Sequence, residues 1–518
     1  MALSRIYSVV LLGLDALPIE VEVDVFSAEK PALIIVGLPD AAVKESKDRV
    51  LTAVRNSGYP IGTIQCTVNL APGHLRKEGA LYDLPIAIGL LRSLGMISPK
   101  SFHADYLFVG ELGLSGEMRP IHGALAIAML ARDLGKKGVI LPAANAKEAA
   151  AVPKIDVIPI SHLKEAVQFL NQPTSIQPLS TTLSSEIYKN AIPAIDFADV
   201  KGQAHVKRAM EIAAAGGHNV VLSGPPGSGK TMLAKALVGI MPPLTVDESL
   251  EITKIHSIAG ILPEGQSVVT QRPFRSPHHT ISYAGLIGGG TFPRPGEVSL
   301  AHNGILFLDE LPEFARLVLE VLRQPLEDRK VTISRANGNF TFPTDFMCIA
   351  AMNPCPCGNL GHPDKACKDS PSQVQRYRSK ISAPLWDRID MHIEVPALRY
   401  RDMTQGEAGE SSEVIRNRVV AARSRQHARF NRVKTNAQMS SRELKEFAPL
   451  SPQCQDILRQ AVDMIGMSAR GCDRLLRVAL TIADLDGSPT VDSQHLMEAI
   501  TFRNLQIESP ITPIGMYA

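Results

Sequence analysis

The chain of 518 residues has almost no excess of charge: 54 lysines and arginines stand against 52 aspartates and glutamates, a formal net of +2. That balance excludes a protein that holds nucleic acid through a global basic field, so any basic patch must be local. Long apolar runs are missing too. The longest are broken by Arg92 and by Arg132-Asp133, far short of the ~20 uncharged residues a spanning helix needs, and no membrane segment is expected. Met1 to Leu17 places Arg5 ahead of Val9-Val10-Leu11-Leu12, but the apolar core is short and no small-residue cleavage site follows, so a strand is expected there rather than a leader. No internal repeat of fixed period is present. Cysteines number seven, an odd count in a long chain, which favours reduced thiols and a cytoplasmic location over a disulfide framework.

What is there is ordinary globular material. Hydrophobic residues make up 45% and charged residues 20%, which excludes wholesale disorder, and the length fits roughly three domains at about 150 residues each. Residues 1–170 alternate strand-like runs (Ala32 to Val36, Gln65 to Leu70, Val139 to Leu141) with helical ones. Ile19-Glu20-Val21-Glu22-Val23-Asp24-Val25 alternates strictly, as a half-buried strand does. Asp40 to Asn56 predicts a helix, with Asp40 as cap, Val43, Val50, Leu51 and Val54 on one face, and Asn56-Ser57-Gly58 as its stop. The Pro, Ser and Thr content of 171–195 marks a linker. A second domain is expected over 196–398, and a helical one over 399–518 after a polar, acidic and glycine-containing piece, Arg401 to Ser412.

The second domain carries the chemistry. Gly224-Pro225-Pro226-Gly227-Ser228-Gly229-Lys230-Thr231 fits G-x-x-x-x-G-K-[ST] in full, between the apolar run Val220-Val221-Leu222 and a helical stretch from Met232. Backbone N–H groups of such a loop and the helix N-terminus point at one anion. Lys230 would neutralise the β and γ charges of ATP, and Thr231 offers a hydroxyl to Mg²⁺. Gly304-Ile305-Leu306-Phe307-Leu308-Asp309-Glu310 is a buried-strand pattern ending in two acids, with Asp309 assigned to the metal and Glu310 to the general base. A further apolar run, Met347 to Ala351, ends at Met352-Asn353-Pro354, where Asn353 could orient the water or contact the γ-phosphate. Arg388 sits between acids in Trp386-Asp387-Arg388-Ile389-Asp390; its plain reading is a salt-bridged surface arginine.

Taken in this order, the loop, Asp309-Glu310, Asn353-Pro354 and Arg388 resemble the AAA+ ATPases, in the magnesium-chelatase-like branch typified by ComM/YifB proteins. The specific pieces are Arg272-Pro273-Phe274-Arg275-Ser276-Pro277-His278-His279-Thr280, Gly288-Gly289-Gly290, Asn353-Pro354-Cys355-Pro356-Cys357-Gly358 and Arg388-Ile389-Asp390. The resemblance covers nearly the whole chain. It implies an α/β fold, with a P-loop AAA+ core on a parallel sheet and a helical C-terminal lid, preceded by a Lon/S5-like α/β domain. It also implies a homo-oligomer, usually a hexameric ring, with ATP at the subunit junctions. Arg388 matches the family's arginine finger and Arg470 its sensor 2, with Arg474 one turn further as the rival.

Two features bear on DNA. Val331 to Phe342 alternates around Ala336-Asn337-Gly338-Asn339, a strong hairpin signal, which in the resembling family projects into the ring pore; Lys330 and Arg335 would give it positive charge. Val414 to Lys434 holds seven cations and no acid, enough either to track phosphates or to form a solvated or subunit-facing surface. Cys355, Cys357 and Cys367 could bind Zn²⁺ only with a fourth ligand. The second C-x-C pair often present in the family is incomplete, leaving His362 or Asp369 as substitutes and a free-thiol loop as the expected outcome. Phe108 to Leu112 and Lys137 to Pro142 resemble the Lon protease fold, which cuts peptides with a serine and a lysine in contact. Here Lys77 to Asp83 has no serine and the lysine position is Leu125; Ser93 and Ser115 lack a placed base. A non-catalytic first domain is expected.

The functional expectation is an ATP-driven ring motor acting on single-stranded or branched DNA without sequence specificity, as helicase or branch-migration enzyme in recombination of incoming DNA. The alternatives are a magnesium-chelatase-type motor driving a protein partner and an ATP-dependent protease.

Overall fold

The structure is a computed structural model, described for all residues except 1–2, 31, 100, 180–194, 264–265, 291–292, 336–337, 398–408 and 504–518. Most of the expected linker, most of the polar piece after 400, and the hairpin tip Ala336-Asn337 therefore lie outside the described residues. The chain forms two compact units, Met1–Lys189 with Leu244–Thr270 and Phe292–Arg294, and Asn190–Pro243 with Gln271–Thr291 and Pro295–Ala518.

In the first unit, the strand Ser4–Leu12 pairs antiparallel with Asp15–Ser27, which pairs with Ile64–Ala71, with Ala32–Val36 parallel at the far edge. The stretch weighed as a leader is thus a paired strand. Ile19, Val21, Val23 and Val25 face inward while Glu20, Glu22 and Asp24 face outward, because successive side chains of a strand point to opposite faces. A three-stranded parallel sheet, Tyr106–Phe108, Gly138–Pro142 and Asp156–Ile160, completes the unit's framework. The helix Ala41–Asn56 begins where the Asp40 carboxylate accepts from the Val43 N–H at 2.7 Å. Its Val43, Val50 and Val54 are fully buried, each contributing about 1.5–3 kcal/mol.

The segment Leu244–Thr270, which sequence order places inside the ATPase domain, packs with the first unit. Its helix Val246–Ala259 is started by a Thr245/Glu248 capping box. Near the other end, the Ser257 hydroxyl donates to the Glu148 carboxylate at 2.5 Å and accepts from the Gly123 N–H at 2.8 Å. Glu148 also accepts from the Leu125 N–H at 2.7 Å. Burial raises the Glu148 pKa, and these donors oppose the shift.

The second unit is built on five parallel strands in the order Phe274–Arg275, Ile305–Leu308, Met347–Met352, Val220–Ser223, Met391–Glu394. Its core continues into the helices Ser412–Phe430, Ser441–Phe447, Pro452–Ile465, Ala469–Asp486 and Ser493–Thr501. Ser411, Ser440, Ser451, Ser468 and Asp492 cap these helices with side-chain oxygens, each cap worth about 1 kcal/mol.

Asp390, 2% exposed, ties strand to helix: it accepts from Arg474 Nη1 at 2.6 Å and from the Asn219 N–H at 2.8 Å. Burial alone would raise its pKa, but Arg474, His218 and the Asn219 N–H outweigh that and hold the carboxyl well below the usual range. A carboxyl depressed on folding stabilises above its unfolded pKa of about 3.9 and loses that contribution as pH falls through the folded value. Asp390→Ala, which strands a half-buried guanidinium, is expected to lower stability by about 3–5 kcal/mol at pH 7, with a smaller deficit in acid, as read by urea unfolding at both pH values.

Candidate active site

Parallel strands deliver their C-terminal ends to one edge of a sheet. Three of these ends carry the sequence-predicted groups. Gly224 follows Val220–Ser223, Asp309 and Glu310 follow Ile305–Leu308, and Asn353 follows Met347–Met352. The register sets Ser223 beside Met352, and the Gly224 N–H donates to the Met352 carbonyl at 3.2 Å.

The loop's glycines serve different ends. A Cβ on Gly224 would meet the Val395 carbonyl oxygen at 2.2 Å, so this position is fixed by close packing. Gly227 and Gly229 face open space but adopt φ of +77° and +88°, the left-handed backbone that favours glycine. Gly229 caps the helix Lys230–Ile240, whose first N–H groups and dipole favour an anion at the loop. Lys230 Nζ donates to the Gly224 and Pro225 carbonyls at 2.7 and 2.9 Å and lies 3.4 Å from Asn353 Oδ1. Burial lowers the Lys230 pKa, and Asp309 opposes the shift. The Thr231 hydroxyl donates to Asp309 Oδ2 at 3.1 Å. A hydroxyl and a carboxylate side by side form a hard oxygen pair of the kind Mg²⁺ takes together with phosphate oxygens and water. Loop, Lys230, Thr231, Asp309 and Asn353 thus form one constellation.

Glu310 has φ +53° and ψ +46°, a left-handed conformation that costs a residue with a Cβ energy and recurs at functional sites. Its carboxylate, 59% exposed, lies 3.3 Å from His279 Nδ1, and the His279 ring packs on His278. His279 was visible in the sequence only as part of a motif without a role.

Beside the loop opens a cavity of about 920 Å³ lined by Gln203, His205, Gly224, Pro225, Arg378 and His392, among others. His205 stacks on Phe502 with centroids 5.0 Å apart, and Gln203 Nε2 donates to the Ser228 carbonyl at 3.0 Å. Sequence reasoning missed this wall. The chain enters it through the left-handed pair Gly202-Gln203, just ahead of the helix Ala204–Gly216.

Arg388 and Arg470 do not join this constellation. Arg388 is 8% exposed, ion-paired with Glu327 and donating to the Pro384 carbonyl at 2.8 Å. It lines a cleft of about 430 Å³ with Tyr283, Glu320 and Thr332. Its salt bridge is as the plain reading has it, but the site is buried. Arg470 is exposed and lines a second cleft with Arg329, Asp390, Arg474 and Arg477. Glu327 borders both clefts, and no residue of 224–231 lines either. Arg474 is bound to Asp390.

The seven cations of 414–434 are engaged within the unit. Arg416 and Arg423 donate to the Gly239 and Ala214 carbonyls; Arg418 pairs with Glu211 and Glu410. Arg425 and Arg429 engage Asp484, while Arg432 and Lys434 share Glu443. Arg416, Arg423 and Arg425 bind carbonyls, whereas Arg418, Arg429, Arg432 and Lys434 meet acids. The hairpin forms as expected, Lys330–Arg335 antiparallel to Gly338–Pro343. Val331 and Ile333 turn inward and Lys330 is exposed, while Arg335 donates to the Gly290 carbonyl at 3.2 Å. Cys355, Cys357 and Cys367 converge, with sulfurs 3.5–3.6 Å apart. In the first unit, Ser93 donates to the Val23 carbonyl, Ser115 is exposed and Leu125 is fully buried.

Comparison with known proteins agrees with this geometry. The chain matches the family described as magnesium chelatase, subunit ChlI, over 196–403, and its C-terminal counterpart over 409–503. The family described as subunit ChlI of Mg-chelatase matches over 21–145. It is 41% identical to the competence protein ComM of Haemophilus influenzae over 511 residues, 97% of this chain and 98% of that one. It is also 41% identical to YifB of Salmonella typhimurium, over 97% of each. The chain belongs to the ComM/YifB family. A member of this family is a magnesium-chelatase-like AAA+ protein, which implies ATPase activity. Similarity to Lon protease 2 of Bacillus subtilis, 29% over 191 residues, covers 33% of this chain and 32% of that one.

Two substitutions separate binding from chemistry in this ComM/YifB member. Lys230→Ala is expected to abolish both nucleotide binding and turnover. Glu310→Gln is expected to keep binding of a fluorescent ATP analogue while turnover falls about 10²–10⁴-fold; equal loss of both would remove Glu310 from the role of base.

Proposed function

We propose that the chain is a cytoplasmic ATP-driven ring motor, hexameric in its working form, that moves DNA strands as a helicase or branch-migration enzyme during recombination of incoming DNA. The observation that carries the DNA part is 41% identity, over nearly the full length of both chains, to a protein named for competence. In this reading ATP and Mg²⁺ are held by Gly224 to Thr231 with Asp309, Glu310 activates the attacking water, and Asn353 orients it. Arg388, in a cleft that no residue of 224–231 lines, acts as arginine finger on nucleotide held by a neighbouring subunit, and Arg470 acts as sensor 2 in the helical lid. Residues 399–518 serve as lid, and the hairpin at 330–343 as the strand-contacting element.

Two other readings remain testable. The ChlI family matches favour a chelatase-type motor that drives a protein partner. Similarity to Lon proteases raises an ATP-dependent protease, but the buried Leu125 and the structurally engaged Ser93 supply no serine–lysine pair, and the first domain is read as non-catalytic.

Steady-state ATPase with and without single-stranded and four-way-junction DNA, with Lys230→Ala as blank, decides between the motors. Stimulation by DNA supports the proposal; turnover indifferent to every DNA overturns it in favour of a protein partner. Arg388→Ala is expected to be as inactive as Lys230→Ala. Mixing the two variants is expected to restore part of the turnover, because each supplies the group the other lacks, and no recovery would place Arg388 outside the neighbour's site.

A further inference from the structure

We propose that Cys355, Cys357, Cys367 and Asp369 form a structural zinc site that fixes one wall of the nucleotide cavity. Three sulfurs from positions up to twelve residues apart meet at mutual distances of 3.5, 3.6 and 3.6 Å. Thiolates bound tetrahedrally at about 2.3 Å from zinc lie about 3.7 Å from one another, so the triangle already has nearly the size of one face of such a tetrahedron. A disulfide requires sulfurs at about 2.05 Å and would leave the third thiol over.

The fourth ligand is a carboxylate. Asp369 joins the cluster, in which one ligand atom of each residue lies within 4.8 Å of every other. Its Oδ2 is oriented by the Cys357 N–H at 2.8 Å and stands 3.9 Å from the Cys367 sulfur. His362, the other candidate from the sequence, turns its Nδ1 to the Asp364 N–H at 3.0 Å and stays outside the cluster. Three thiolates and one carboxylate suit zinc far better than magnesium or calcium. With four protein ligands the site is closed, which marks a structural rather than a catalytic ion. On binding, each thiol releases one proton to solvent, and Zn²⁺ with four anionic ligands carries a net charge of −2.

The position of the loop gives the ion its purpose. Cys355 lies two residues beyond Asn353. The turn closes through the Gly358 N–H to the Cys355 carbonyl at 3.0 Å. A Cβ on Gly358 would lie 2.5 Å from Pro226 Cδ, so the knuckle rests directly on the phosphate loop. Leu360, Gly361 and Pro363, between the second and third cysteines, line the 920 Å³ cavity. Cross-linking this loop through the ion holds that wall and the strand end bearing Asn353 in place; this last step rests on the reading of the cavity as the nucleotide's.

The test begins with the metal alone. The full chain, purified under reducing conditions, is expected to contain about one zinc per chain by elemental mass spectrometry and to release it to a mercurial. Cobalt added to the zinc-stripped protein is expected to give thiolate-to-cobalt charge-transfer bands and tetrahedral ligand-field bands. Cys367→Ser is expected to lose the ion, whereas Asp369→Cys is expected to keep it with stronger charge transfer. Absence of zinc together with absence of the cobalt bands overturns the site, as does an intact mass lower by two hydrogens, the sign of a disulfide. ATP kinetics then address the wall: metal release or Cys367→Ser is expected to raise KM for ATP about tenfold with kcat little changed. One zinc per chain with an unmoved KM overturns the role in the wall, while one zinc per chain in a protein that binds no ATP overturns the reading of the cavity.

Discussion

A parallel strand cannot turn back beside its neighbour, so every connection in the five-stranded sheet of the second unit has to cross over and re-enter from the same side. All strand ends of one polarity therefore gather at a single edge. Gly224, Asp309 and Asn353 would lie about 150 Å or more from one another along an extended chain, yet Lys230 reaches the carbonyls of its own loop and the Asn353 side chain together, and Thr231 reaches Asp309. The groups read from the sequence as phosphate-, metal- and water-directed are gathered by sheet topology before any particular side chain is chosen.

The second constraint is electrostatic. Two buried acids, each bound by more than one donor, organise the helical part of this unit: Asp390 ties it to the sheet, and Asp484 ties its helices to one another. Asp390 holds Arg474 and the Asn219 N–H; Asp484 holds Arg429 and the Asn436 amide. Desolvating a charge is costly, and it is tolerated here because partners and hydrogen bonds converge on each carboxylate. Arg388, two residues before Asp390, is held by Glu327 and the Pro384 carbonyl, and its own carbonyl accepts from the Asn219 side chain.

Legibility followed the range over which each signal acts. The phosphate loop, the acids after Ile305–Leu308 and the capped helix Ala41–Asn56 are local patterns whose physics is complete within a dozen residues, and each could be read directly. The cations of 414–434 could not be interpreted because their partners Glu211, Asp484 and Glu443 are set by tertiary folding, so the same run fits an exposed face and an internal one. Likewise, no pattern near Gln203 or His205 says that a cavity will open beside them. The thiols were counted correctly, but Asp369 was one of two plausible neighbours until the loop's turn was known. The packing of Leu244–Thr270 with the first unit had no sequence signal, since an amphipathic helix does not name the surface that covers it.

That last segment makes the first unit discontinuous, and discontinuity limits how the gene can be divided. A fragment beginning near residue 196 would retain Leu244–Thr270 but lack the first-unit cluster in which Val246, Leu250 and Val268 pack. A fragment ending near 189 would lack the helix whose Ser257 satisfies Glu148. Neither half is a self-sufficient module, so the two cannot be shuffled independently by simple fusion or fission of coding sequence. Inheritance of the pair as one reading frame is a consequence of where a single helix packs.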